Sequence, residues 1–227
     1  MKIIFAGGGT GGHLMAGLSI AQEISSRFPD TRVIFFGTNR NKESRYIEES
    51  NYEFKPIMAC KPTSFIRLPL FAFASLIGII HSLINLFIIK PDIIIGLGGY
   101  GSALPVVAAY IIGIPIVLIE PNVIPGRANL KMERWADAVL CHWESSKKRF
   151  KKGEVAVTGV PIRSGILENQ TEVDNNPFGL DSQKKTLLIM GGSQGAQAIN
   201  KVMLQSIPKL QTLVPGLQII HLTGKHG

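Results

Sequence analysis

The chain has 227 residues, with 24 Lys+Arg against 16 Asp+Glu and a formal net charge of +8. Hydrophobic residues at 45% and charged residues at only 18% exclude intrinsic disorder, which needs low hydrophobicity and high charge. At roughly 150 residues per domain, the length suits one large domain, or one domain and part of another. Cys60 and Cys141 are too few for a disulfide framework and stand in no Cys/His cluster. Free thiols in a reducing compartment are therefore expected, and a metal site is not. The opening MKIIFAGGGTGG lacks the charged leader, apolar stretch and cleavage site of a signal peptide, so it reads as a cytosolic strand entering a loop. Residues 1–163 hold 19 of the basic and 12 of the acidic residues. This basic excess suits nucleic acid, a membrane surface or a phosphorylated ligand. No aromatic residues interleave with it as a stacking platform would need, so no nucleic-acid partner is expected.

Short β-branched runs alternate with helical stretches along the first part. Runs at 2–6, 33–36, 54–58, 92–96, 115–119, 138–141 and 155–158 are apolar on both faces, as strands of a helix-covered parallel sheet must be. Helices are predicted at 14–27, 43–50, 68–88, 102–112 and 126–135. This alternation specifies a doubly wound, Rossmann-like α/β domain over 1–163. Residues 164–185 are polar, with an Asn-Asn-Pro, and read as a linker. A second unit, 186–227, follows: a strand at 186–190, the turn GGSQG, a helix from about 196 to 213 and a strand at 217–222. Two strands and one helix leave both sheet faces uncovered, so this unit reads as the incomplete start of a second Rossmann-like domain.

The stretch Leu68–Ile89 has 22 residues and no formal charge, long enough to cross a bilayer. It lies between two strands of one predicted sheet, however, and a span would separate them. A helix packed on the sheet is expected. Its apolar residues continue beyond the face a sheet can cover, so its outer face is expected to enter the membrane interface, flanked by Lys61, Arg67 and Lys90.

Three strand-to-helix turns are rich in glycine: Gly7-Gly8-Gly9-Thr10-Gly11-Gly12-His13, Gly96-Leu97-Gly98-Gly99-Tyr100-Gly101-Ser102 and Gly191-Gly192-Ser193-Gln194-Gly195. Glycines let backbone N–H groups approach a ligand, and the helix that follows presents an anion site at its N-terminus. Three such turns at the carboxyl ends of parallel strands lie where α/β folds bind ligands. Gly7-x-Gly9-x-x-Gly12 also matches the dinucleotide fingerprint. The second strand ends Phe36-Gly37-Thr38-Asn39-Arg40, without the ribose-binding acid, although Arg40 suits a 2′-phosphate, so an NADP enzyme stays in view. A phosphate-binding P-loop is excluded, because His13 stands where its Lys-Ser/Thr belongs.

His13 falls in the first turn of a helix, whose dipole keeps an imidazole neutral and able to accept a proton near pH 7. It serves as a base or simply caps the loop. His81, His142, His221 and His226 lack such a setting. Glu120, at a strand end in Ile119-Glu120-Pro121-Asn122, either positions a sugar hydroxyl or braces the loop. It has no second acid nearby, which argues against a two-carboxylate hydrolase.

GGGTGGH, GLGGYGS, EPN, TGVPIR and GGSQGAQAIN, in that order, resemble the MurG family of bacterial glycosyltransferases. The resemblance implies the GT-B arrangement of two Rossmann-like domains. It also implies inverting transfer of N-acetylglucosamine from UDP-GlcNAc to lipid I, an undecaprenyl-diphosphoryl-MurNAc-pentapeptide, giving the peptidoglycan precursor lipid II. It places the enzyme peripherally on the cytoplasmic face of the bacterial plasma membrane, with no cofactor or metal. Matched by position, Thr10, Gly11, Gly12, Asn122, Arg163 and Ser193 imply donor contacts. Gly9, Gly98, Gly99, Tyr100 and Ser102 imply the acceptor-diphosphate loops. His13 implies the base, and Glu120 and Gln194 supporting positions. The sequence departs from the family at Ile119 and Pro121, where His and Gln are usual, and at Met15-Ala16, where Phe-Pro is common. Family members continue well past the position of Gly227, with most of the uracil and ribose pocket. Weak donor binding by these 227 residues is therefore expected, and a non-catalytic lipid-diphosphate or membrane-binding remnant is the alternative.

Overall fold

The β-branched and aromatic runs of the first part form seven strands: β1 Lys2–Ala6, β2 Arg32–Gly37, β3 Glu53–Pro56, β4 Ile93–Gly96, β5 Ile116–Glu120, β6 Ala138–Cys141 and β7 Glu154–Val157. All pair in parallel in the order β3-β2-β1-β4-β5-β6-β7. The computed structural model describes residues 1–7, 11–38, 43–58, 68–163, 166, 176–192 and 195–224. The chain divides into two units, Met1–Glu168 and Asn169–Gly227.

Side-chain alternation sends successive strand residues to opposite faces of the sheet, and each face has its own core. On one, Ile3 and Phe5 of β1 and Val33 and Phe35 of β2 pack with Leu14, Leu18 and Ala21 of helix α1, Gly11–Arg27, and with Ile47 of α2, Glu43–Glu49. Phe5 and Phe35 stack with ring centroids 5.0 Å apart. On the other, Ile4, Ile34, Phe36 and Ile94 meet α3, Leu68–Ile89, and α4, Tyr100–Ile111, through Leu86, Ile89, Val106 and Ala109. Helix α5, Arg127–Met132, with its 3-10 extension Glu133–Trp135, closes this face through Met132. A short helix after β6, α6 Glu144–Lys147, has no counterpart in the sequence reading. Four residues are too few to carry a helical period.

The strand order reverses direction between β1 and β4, and in open α/β sheets this switch point opens the ligand crevice. The first glycine turn begins at β1 and the second at β4, so they flank the crevice together. Helix α1 starts at Gly11, three residues earlier than the apolar period suggests, so the glycines of the turn open the helix itself.

In the second unit, β8 Thr186–Met190 pairs in parallel with β9 Gln218–Leu222, and α7 Gln197–Leu213 crosses between them. Both sheet faces were expected to be bare, but α7 covers one of them. Ile189 is buried on that side, and His221 Nε2 lies 3.0 Å from Asn200 Oδ1 of α7. Leu188, Met190 and Leu222 remain exposed.

Phe35 is fully buried at the centre of the first unit. Phe35→Ala is expected to cost about 3–5 kcal/mol of unfolding free energy in urea denaturation. A loss below about 1 kcal/mol would contradict this account of the core.

Candidate functional site

Glu120 ends β5 with its side chain fully buried, and among the described residues its carboxylate accepts hydrogen bonds from the loop and helix that follow. Oε1 accepts from Asn122 N (2.9 Å) and Asn122 Nδ2 (2.8 Å). Oε2 accepts from Gly126 N (2.9 Å) and from Asn129 Nδ2 (3.0 Å). Asn129 Nδ2 also donates to Ile119 O at 2.9 Å, tying α5 back to the strand. A carboxylate buried without partners would be strongly unfavourable, whereas four N–H groups satisfy this one. Of the two sequence readings of Glu120, bracing the loop is the one this geometry displays.

The two glycine turns interlock above it. Gly7 holds φ +105°, and a Cβ there would lie 2.7 Å from Gly98 O and 2.9 Å from Ser102 Cβ. Only glycine permits that approach. Gly98 (φ +83°) lies against His13, since a Cβ built on it would come 3.3 Å from His13 Cδ2 and 3.1 Å from Asn129 Nδ2. The Ser102 hydroxyl is buried and donates to Gly99 O at 3.0 Å, so its bond is internal to the turn. Tyr100 packs on Phe71 of α3, with centroids 6.1 Å apart.

Beside these loops lies a cavity of about 520 Å³. Gly12 and His13 of α1, Asn122 after β5 and Arg163 after β7 line it. Four residues from three separate stretches of the sequence are thus brought together. Gly98, Gly99, Tyr100 and Ser102 form the adjoining turn. Gly9, Thr10, Ser193 and Gln194, with Arg40 and Cys60, fall outside the described residues.

His142 lacks the helix-N-terminal setting of His13, as expected, but it is 6% exposed and lines the same cavity. The register Glu120↔Cys141 carries it just past the end of β6, and its N–H donates to Glu120 O at 3.0 Å. The rule that points to strand carboxyl ends would have found it. Asn129, also missed, carries no such signal, because its partners lie across the loop. Trp143 Nε1 donates to Pro121 O at 3.1 Å and joins the two loops.

Burial pushes the His13 imidazole below its ordinary value, against the Glu120 carboxylate, which pulls it up. His142 is likewise lowered, first by burial and then by His13, with Glu120 again opposing. Both shifts favour the neutral ring near pH 7.

Residues 3–141 match the glycosyltransferase family 28 N-terminal domain, and residues 186–227 match the glycosyltransferase family 28 C-terminal domain. The chain belongs to glycosyltransferase family 28, and its architecture is the GT-B type. Among its relatives is the UDP-N-acetylglucosamine--N-acetylmuramyl-(pentapeptide) pyrophosphoryl-undecaprenol N-acetylglucosamine transferase of Thermodesulfovibrio yellowstonii, 37% identical over 99% of this chain and 62% of the relative. The Myxococcus xanthus protein of the same name is 35% identical over 100% of this chain and 58% of its own length. The chain thus spans about three fifths of these relatives. The same backbone recurs in Acinetobacter baumannii MurG, with a TM-score of 0.72 and 24% identity over 99% of this chain and 59% of that one. It recurs again in a Neisseria meningitidis UDP-GlcNAc 2-epimerase bound to UDP-GlcNAc, with a TM-score of 0.68 and 17% identity over 98% of this chain and 66% of that one.

A histidine lowered by folding binds its proton more weakly in the native state than in the unfolded chain. His13 and His142 therefore contribute no penalty above an ordinary imidazole value of about 6.5, and stability declines as pH falls below it. Urea unfolding at pH 7 and pH 5 is expected to show this loss, and a His13→Gln/His142→Gln double variant to lose less between the two. Equal losses in both proteins would refute the assignment.

Proposed function

We propose that this chain carries the acceptor-side domain (1–163), a linker (164–185) and the opening of the donor-side domain (186–227) of an enzyme that transfers N-acetylglucosamine from UDP-GlcNAc to lipid I. The observation that carries this reading is a half-buried His13, neutral near pH 7, in a cavity at the carboxyl ends of β1, β5, β6 and β7, shared with Asn122 and Arg163. Membership of family 28 favours it over the NADP enzyme that the first glycine turn left in view.

In the proposed reaction His13 takes the proton of the attacking acceptor hydroxyl. The hydroxyl oxygen bonds to the anomeric carbon of GlcNAc as the bond from that carbon to the UDP oxygen breaks. The electron pair leaves on the diphosphate, and the configuration inverts. The N-termini of α1 and α4 direct positive potential at diphosphate charge, and Arg163 adds a cation beside the cavity. Asn122, held through its Nδ2 by Glu120, keeps its carbonyl oxygen for a sugar hydroxyl.

A lipid-linked acceptor requires approach to a membrane, and α3 has a surface suited to it. Phe73, Leu76, Ile80, Ile84 and Phe87 recur every three or four residues and are all exposed, giving one apolar stripe along the helix. Two polar residues of α3 are turned to local bonds: Ser82 Oγ donates to Gly78 O at 2.8 Å, and Asn85 Nδ2 to His81 O at 2.8 Å. The window Phe71–Ile89 is long enough to span, but β3 and β4 on either side of it belong to one sheet. The stripe therefore supports contact with the cytoplasmic membrane surface by a helix lying along it, with Lys90 exposed at its end.

His13→Ala, made in the whole open reading frame that contains these residues, is expected to lower lipid I-dependent transfer about 10²–10⁴-fold with the fold intact by circular dichroism. Turnover within about threefold of wild type would remove His13 as the base. Leu76→Asp and Ile80→Asp, both at exposed positions, are expected to leave thermal stability unchanged and to abolish sedimentation with anionic vesicles. Undiminished sedimentation would exclude the α3 stripe as the membrane contact.

A further inference from the structure

His13 accounts for one imidazole of the cavity, and the proposed mechanism leaves the other without a task. His142 is more than nine-tenths buried and lines the cavity, yet its ring has no hydrogen-bond partner among the described residues. Its position is tightly fixed from behind. The β5–β6 register sets its place in the chain, its N–H is bonded to Glu120 O, and Trp143 next to it is anchored on Pro121 O. A polar ring so held, and turned to a cavity rather than to protein, fits a bond supplied by a ligand.

The chemistry of that ligand group follows from the ring's state. Among the described residues, Glu120 of β5, His13 of α1 and Arg163 after β7 are the titratable and charged groups around this cavity, with Glu144 and Lys147 on α6 beyond it. Burial, opposed by the Glu120 carboxylate and aided to a lesser degree by His13, favours the neutral ring. A neutral imidazole has one donor and one acceptor nitrogen, which complements a hydroxyl or an amide better than an anion. The surrounding walls, Met15, Ala16, Val160 and Ile162, are apolar and suit the C–H faces of a sugar ring.

We propose that His142 is a specificity-determining residue whose ring hydrogen-bonds an uncharged hydroxyl or acetamido group of the N-acetylhexosamine bound in this cavity. The inference rests on the transferase reading. Donor and acceptor sugars share this chemistry, and kinetics separates them.

In the whole open reading frame, His142→Phe keeps the ring's bulk without its nitrogens, and His142→Gln restores a donor and an acceptor. The Phe variant is expected to raise KM for one of the two substrates about tenfold, the size of one lost hydrogen bond, with kcat within about threefold. The Gln variant is expected to return that KM to within about threefold of wild type. The substrate whose KM moves identifies the sugar. Unchanged KM values in the Phe variant, or a Gln variant as impaired as Phe, overturn the inference.

A measurement that needs no turnover accompanies this. In the 227-residue chain, the His142 ring nitrogen resonances are expected to move on titration with methyl N-acetyl-β-glucosaminide or with a soluble short-prenyl diphosphoryl-MurNAc-pentapeptide. Their failure to move with either overturns the inference. A wild-type enzyme without transfer activity, whose His142 resonances nonetheless respond, refutes the transferase reading and leaves the sugar contact standing.

Discussion

The buried carboxylate of Glu120 is the contact on which the rest of the site depends. One side chain, placed by the last register position of β5, gathers Asn122, Gly126 and Asn129 into a fixed loop. Its backbone carbonyl receives the N–H of His142, so the next loop is held by the same residue. Its negative charge opposes the burial that lowers both cavity histidines. Structural bracing and electrostatic tuning are therefore not separable here. Removing the charge would loosen the loop and change the proton affinity of the rings together.

Much of the fold was legible because a parallel sheet covered on both faces writes itself as short, continuous apolar runs. The runs around Ile3–Phe5, Val33–Phe36 and Ile94–Ile95 are buried on both faces in two separate cores, and the sequence offers no polar alternation to confuse them. The glycine turns were legible for a related reason: clustered glycine at a strand end is costly unless backbone must approach something closely. At Gly7 that something is the backbone of the second turn as well as any ligand.

What was not legible depends on long-range contact or on elements too short to have a period. Asn129 is an unremarkable residue in a short helix until the fold brings its amide to Glu120 and Ile119 O. His142 looked ordinary because its neighbours in sequence carry no motif. Only the pairing of β6 with β5 sets it beside Glu120 and across from His13. Ser102 was readable as a turn residue, but not that its hydroxyl would close back on Gly99 O. Likewise, the composition of Leu68–Ile89 gave its length and apolarity, while the stripe left open became definable only once α4 and the sheet had claimed the opposite side.

The contact of Gly7 with Gly98 and Ser102 has a thermodynamic consequence for ligand capture. Two turns that move independently would each surrender conformational freedom when a substrate arrived, and affinity would fall by both losses. Here the backbone at the head of one turn is lodged against the backbone of the other, and His13 rests on the same Gly98. That freedom is given up during folding, before any ligand is present. The crevice is thus stiff where Gly7 meets Gly98 and Ser102, and any adaptation to differing ligands falls to side chains at its wall.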